Sequence, residues 1–171
     1  MIADARTSAV GTVIDCIPRN VDAHSAEQIL KSALPGFRVA TERELYYPYF
    51  RCDLSYTART ALGRTRFRLK CLVDARKNIG ATADAFEVAP LCIDRNNLLD
   101  PRIERGDAER TARRYSAYVL RRKHKALVRP EVDVEALTLV HKPFSLLQCA
   151  RDDCAPLEVI VDGVTGGFHW L

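Results

Sequence analysis

The feature that most constrains this chain is a doubled ending. Residues 68–80 read RLKCLVDARKNIG and residues 156–167 read PLEVIVDGVTGG. Each is an apolar run that closes on Val-Asp, at Val73-Asp74 and at Val161-Asp162, with Asn78 or Gly166 four positions after the Asp. Asn and Gly best tolerate a left-handed backbone, and an Asp side chain closes an Asx turn onto the amides that follow it. The positions agree for one physical reason although the letters differ: both runs read as strands that end in the same tight turn. Asp74, Asn78, Asp162 and Gly166 are therefore assigned as structural turn residues.

The likeness extends backwards. Pro35 and Pro48 are thirteen residues apart, as are Pro130 and Pro143, and Val39, Leu45 and Tyr49 of the first stretch match Val134, Val140 and Phe144 of the second. A helical pattern precedes each stretch. The first opens on Ser25-Ala26-Glu27-Gln28, a capping-box signature, carries an apolar stripe at Ala26, Ile29, Leu30, Ala33 and Leu34, and stops at Pro35-Gly36. The second follows Asp100-Pro101, with Asp107 as the alternative cap. Its stripe runs Ala108, Ala112, Tyr115, Val119 and Ala126, with Thr111, Tyr118 and Leu127 beside it, and Pro130 ends it.

The strand signals are sharpest in RTRFRLKCLVD, residues 64–74. Phe67, Leu69, Cys71 and Val73 alternate with Arg64, Arg66, Arg68 and Lys70, giving one packed face and one wet face, as in an antiparallel sheet. YYPYFRCDL, residues 46–54, supplies the partner strand, SYTARTALG a longer hairpin loop, and residues 85–93 a third strand. Pro48 and Pro143 cannot donate to a ladder, which predicts edges or bulges for both. The fold expected is α+β: two related helix-plus-antiparallel-meander units packed as one compact domain. Residues 1–23 form an N-terminal segment, 24–99 the first unit and 100–171 the second, with the long basic helix. At 171 residues the chain is long enough to bury such a core without staples.

Helix, Pro-Gly, strands and an apolar strand ending in Val-Asp-x-x-Thr-Gly resemble the PepSY domain. The carrying residues are AEQILKSALPGF, YYPYF and LKCLVDARKNIG in the first copy, and LVHKPF and LEVIVDGVTGG in the second. The resemblance spans most of residues 24–171 as a tandem. Copy one has Lys77-Asn78 where the family prefers Thr-Gly, copy two lacks the Pro-Gly, and a long basic helix is not a family feature. The resemblance implies a non-enzymatic, regulatory role. The family is usually extracytoplasmic and associated with peptidases.

Charge is concentrated in one element. Residues 101–129 hold ten Arg or Lys against three acids, so this segment carries +7 of a whole-chain net charge of +4. Arg113, Arg114, Arg121, Arg122, Lys123 and Lys125 on the helix, with Arg64, Arg66, Arg68 and Lys70 on the strand, are the candidate residues for an anion or a protein partner. A solvated, dipole-matched helix face is the competing structural explanation. A polyanion would be recognised by phosphate neutralisation. Tyr46, Tyr47, Tyr49 and Phe50 beside the arginines suit base stacking but are read first as sheet packing.

Signals for chemistry are sparse. There is no P-loop, GxGxxG, GxSxG or HExxH, no CxxC, and no zinc-spaced cysteine set, so neither a cofactor nor a metal is expected. His141 and Cys149 lie eight residues apart on what reads as one strand, too far for a nucleophile and its base. His169-Trp170 at the end reads as core or interface. Cys149 and Cys154 flank a four-residue turn and are placed to face each other; free thiols are the first reading, a disulfide or half a metal site the alternatives. No apolar stretch is long enough to span a membrane, and MIADARTSAVGTVIDCIP does not read as a secretory signal, which predicts a cytoplasmic protein. Two functional classes follow: a non-catalytic module that binds a protein partner or itself, and a nucleic-acid or polyanion binder.

Overall fold

The computed structural model describes residues 11–60, 63–124 and 131–171. In chain order the elements are β1 (Gly11–Cys16), α1 (Ala23–Ala33), β2 (Arg38–Thr60), β3 (Gly63–Asp74), β4 (Gly80–Thr82), β5 (Ala89–Asp94), α2 (Arg105–His124), β6 (Val132–Arg151), β7 (Cys154–Asp162) and β8 (Phe168–Trp170). The strands form one hydrogen-bonded sheet, so the α+β class holds, with sheet predominating.

The chain divides into two compact units that cut across the sequence segments 24–99 and 100–171. Among the described residues, unit 1 comprises 11–47, 88–99 and 142–171, and unit 2 comprises 48–60, 63–87, 100–124 and 131–141. Two of the dividing points, 47/48 and 141/142, fall inside β2 and β6, which have 23 and 20 residues. Each unit therefore takes its helix from one half of the chain and its hairpin from the other.

The core of unit 1 is formed by Ala26 and Leu30 of α1, Val39 of β2, Leu147 and Cys149 of β6, and Val159 and Val161 of β7. Helix α1 begins at a cap three residues earlier than Ser25: Asp22 accepts the Ser25 amide at 2.7 Å. Glu27, freed from a capping box, accepts the amide and the hydroxyl of Thr41 at 3.0 Å each. A second cluster, Ile14, Cys16, Tyr46 and Ile93, holds the antiparallel β1–β5 pair. The segment 85–93 thus contributes β5, which pairs with β1 instead of closing the first meander.

The core of unit 2 is Phe50, Cys52, Leu54 and Tyr56 of β2, Cys71 and Val73 of β3, Ala108, Ala112, Ala117 and Leu120 of α2, and Val132 and Leu137 of β6. The β2–β3 register pairs Tyr49 with Asp74 and runs to Thr60 opposite Gly63. The expected long loop over 55–63 is thus mostly strand, because Leu54 and Tyr56 continue the alternation. The third strand of this meander is β4, pairing Val73 with Gly80 and Cys71 with Thr82. Helix α2 starts at Arg105, between the two caps expected, and Asp107 sits in its first turn. Its buried line is Ala108, Ala112, Ser116 and Leu120, four residues apart, while Tyr118 is exposed. Ala126 and Leu127 lie outside the described residues.

Within each unit the doubled turn is built with the same bonds. The Asp74 amide donates to Ile79 O and the Asp162 amide to Gly167 O, at 2.9 and 2.8 Å. Asp74 Oδ1 accepts the amides of Arg76 and Lys77, and Asp162 Oδ1 those of Val164 and Thr165. Asn78 (φ 58°) and Gly166 (φ 74°) supply the left-handed residue. The chain entering each helix also bonds this turn: the Arg102 and Ile103 amides donate to Ala75 O, and those of Asn20 and Val21 to Gly163 O.

Pro48 and Pro143 are not on edges. Both are fully buried in inner strands, one residue outside the first cross-strand pair of their hairpins. Proline forfeits only its donor, and each carbonyl accepts an amide of the turn, from Ala75 at 3.2 Å and from Gly163 at 2.9 Å.

Candidate functional site

The residues most capable of chemistry are dispersed. His24 and His169 are exposed, His141 is buried on β6, and the side chain of His124 lies outside the described residues. No three His, Cys, Asp or Glu side chains among the described residues form a metal-ligand group. All six cysteines are free. Cys149 is buried opposite Leu157, whereas Cys154 is exposed opposite Arg151, so the two thiols do not face each other. The turn between them is only Asp152-Asp153, and a register shift between Cys149 and Arg151 separates their faces. A thiol pair that the sequence analysis did not single out, Cys52 and Cys71, does sit cross-strand in unit 2. Burial pushes Cys52 up to about 12 and Cys71 up to about 11, which makes both poor nucleophiles.

A polar network in unit 1 also escaped the sequence reading. Arg19 donates to the Ser145 hydroxyl at 3.1 Å and pairs with Glu44 at 3.4 Å, and the Tyr46 hydroxyl donates to Glu44 at 3.3 Å. Burial, then the Glu44 charge, raises the Tyr46 phenol above its ordinary range. These contacts tie the entry to α1 onto β2 and β6, although Arg19 Nη2 is buried with an ion pair to Glu44 and no hydrogen bond.

The basic candidates separate into two groups. On β3, Leu69, Cys71 and Val73 face α2, so Arg64, Arg66, Arg68 and Lys70 point from the opposite face of the hairpin. That face is partly neutralised: Arg66 and Arg68 pair with Glu135 at 3.0 and 3.6 Å, and Lys70 pairs with Asp53 at 2.7 Å. On α2, Arg113 pairs with Glu109 at 2.8 Å and donates to Val132 O. Arg122 stacks over the Tyr118 ring, and Arg114 and Arg121 are exposed. Lys125 and the side chain of Lys123 lie outside the described residues. Among the described residues, the two basic groups therefore lie on opposite faces of the β2–β3 hairpin. The aromatic cluster is packing: Tyr46 and Phe50 are buried, and Tyr47 meets Phe144 edge-on at 6.2 Å.

What unit 1 does present is an apolar shelf. In register, Val161 opposes Phe168 and Val159 opposes Trp170, so Phe168 and Trp170 share the sheet face on which α1 lies. Helix α1 has 11 residues, about 16 Å, while the nine residues of β7 extend about 30 Å. Val159 and Val161 are fully buried in the α1 cluster, against which Val21, Leu34, Phe37 and Phe168 also pack. Trp170 is left 52% exposed, Leu157 37% and Leu171 72%. These three and Gln148, Pro156 and Glu158 line an open depression of about 480 Å³, but Gln148 opposes Glu158 in the register, so Gln148, Pro156 and Glu158 alternate to the face opposite Leu157 and Trp170. Of the two readings of His169-Trp170, core or interface, the exposure of both residues removes the core one.

Compared with known proteins, the chain matches no family model, no curated protein and no solved structure. Among the described residues no helix is long and apolar enough to cross a membrane.

Proposed function

We propose that this protein is a non-catalytic interaction module that binds a protein partner through the Leu157–Trp170 shelf of unit 1. The observation that carries this reading is a half-exposed Trp170 on the same sheet face as exposed Leu157. Exposed, contiguous apolar surface with an aromatic anchor is the usual mark of a docking site. The resemblance to the PepSY domain points to the same non-enzymatic, regulatory class. Two exposed thiols, Cys92 and Cys154, suit a reducing, cytoplasmic setting.

The test is site-specific photocrosslinking in cells with a benzophenone side chain at position 157 and, as control, at the exposed position 68. A discrete protein adduct at 157 and not at 68, abolished when Glu replaces Trp170 in the position-157 probe, supports the module. Equal labelling at both positions refutes it. A second reading, polyanion binding, is supported by exposed Arg114, Arg121 and Arg122 on α2. It requires nucleic-acid affinity that falls steeply with salt and is lost in Arg114→Glu/Arg121→Glu.

A further inference from the structure

The outer side of α2 combines uncompensated positive charge with an exposed aromatic ring. From Arg110 to Arg129 the sequence holds eight Arg or Lys and no Asp or Glu. Arg110 and Arg113 are answered from the preceding turn by Asp107 and Glu109. Arg114 and Arg121 are exposed and make no ion pair among the described residues. The helix dipole favours cations only in the last turn, which accounts for Arg121 and Arg122 but not for Arg114 in mid-helix. Arg114, Arg121 and Arg122 each stand three or four residues from Tyr118, so the four side chains share one face. Tyr118 is 56% exposed on that face. The other tyrosine of this helix is used by unit 2: Tyr115 packs on Gly80, and its hydroxyl accepts the Thr82 amide at 3.3 Å. Tyr118 instead meets Arg122, whose guanidinium carbon lies 5.7 Å from the ring centroid and whose Nη1 donates to the phenol at 2.9 Å. An aromatic ring is thus held at the surface among arginines, where it adds nothing to the core.

Resting on the second reading, polyanion binding at α2, we propose that the ligand of this face is single-stranded nucleic acid. Arg114 and Arg121 pair with phosphates, and Tyr118, backed by Arg122, stacks on a base. The ring selects among polyanions. An unpaired base offers a flat π face, and stacking on an aromatic side chain beside cations is how single strands are held without regard to sequence. Linear polyphosphate and lipid headgroups offer charge but no such face. A membrane also requires apolar side chains to insert, and those of α2, Ala108, Ala112 and Leu120, are spent in the core of unit 2. In a duplex the base faces are already stacked on one another. A duplex would moreover gain from a second basic wall beside α2, and Arg64, Arg66 and Arg68 point from the opposite face of the β2–β3 hairpin.

The test is fluorescence anisotropy of the intact protein with a labelled single-stranded oligothymidylate. A DNA duplex of equal length and phosphatidylserine vesicles serve as competitors, and linear polyphosphate is titrated separately by calorimetry. The proposal expects saturable binding that falls steeply with salt. Tyr118→Ala should weaken oligothymidylate binding about tenfold while leaving polyphosphate affinity unchanged, and Tyr118→Phe, which keeps the ring, should bind as wild type. Because Tyr118 is at the surface, both variants should keep the wild-type circular dichroism spectrum. Arg114→Glu/Arg121→Glu should abolish binding of oligothymidylate and polyphosphate alike. Equal affinity of wild type and Tyr118→Ala for oligothymidylate overturns the single-strand proposal and leaves α2 a polyanion site. So does a duplex, or the vesicles, competing as well as unlabelled single strand. Absence of binding to both oligothymidylate and polyphosphate, or binding that survives Arg114→Glu/Arg121→Glu, overturns the proposal and the polyanion reading of α2 together.

Discussion

If each unit is assembled from both halves of the chain, energetic coupling must follow the units and not the sequence order. Leu30 of α1 is fully buried and shares a cluster with Val161 of β7, 131 residues away, but not with Val73, the matching valine that follows it in its own half. Leu30→Ala should cost about 2–5 kcal/mol through lost transfer energy and a residual cavity. Val161→Ala removes two buried methyls at about 0.8 kcal/mol each, with a further cavity contribution. Because the two truncations share one cavity region, the double variant should depart from additivity by about 0.5–3 kcal/mol. Leu30→Ala with Val73→Ala should be additive to within about 0.5 kcal/mol. Urea unfolding followed by Trp170 emission reads unit 1, and midpoints with unchanged slopes give the energies. At about 3 kcal/mol, Leu30→Ala also lowers Tm by about 6–12 °C for a chain of this length. Stronger coupling of Leu30 to Val73 than to Val161 would refute the exchanged assembly.

Other consequences follow from particular side chains. Among the six free thiols, Cys92 and Cys154 should react promptly with a disulfide reagent in the folded protein, while Cys16, Cys52, Cys71 and Cys149 wait for denaturant; mass spectrometry of the labelled sites checks this. Gly166→Ala forces an L residue to φ 74° with its Cβ 3.2 Å from Ile29 Cδ1, costing about 1–2 kcal/mol, whereas Asn78→Gly at φ 58° should change stability by less than about 0.5 kcal/mol. Burial raises the Asp162 carboxyl, but Lys142 at 2.5 Å, the Val164 amide and Thr165 together hold it below the usual carboxylate range. A depressed folded pKa stabilises fully above the unfolded value, near about 4, and the benefit is lost as pH falls through the folded value. Asp162→Asn should therefore destabilise at neutral pH, with the gap to wild type closing on acidification, as read by unfolding midpoints across pH.

The local part of this architecture was legible because its causes are local. Val-Asp followed by Asn78 or Gly166 dictates an Asx turn wherever the strand goes, and the Arg/apolar alternation of residues 64–74 dictates a two-faced strand. The apolar stripes marked both helices, with ends misplaced by a few residues because Asp22, not Ser25, supplies the first cap. Which hairpin each helix covers was not legible. The apolar face of α1 fits Val73 and Val161 equally well in composition, and only tertiary packing chooses. The same is true of β5, whose partner β1 carries little periodic signal. The basic residues were visible as charge, but their division between opposite faces of the β2–β3 hairpin needed the position of α2.

The central claim is that neither half of the chain is a unit by itself. Residues 1–99 and 100–171, produced separately, test it by circular dichroism and thermal melting, alone and after mixing. The account predicts that neither fragment melts cooperatively alone. Mixed, they should form a one-to-one complex of 19.2 kDa with the sheet signal and the melting transition of the intact chain. Cooperative melting of each fragment alone, unchanged on mixing, would contradict it.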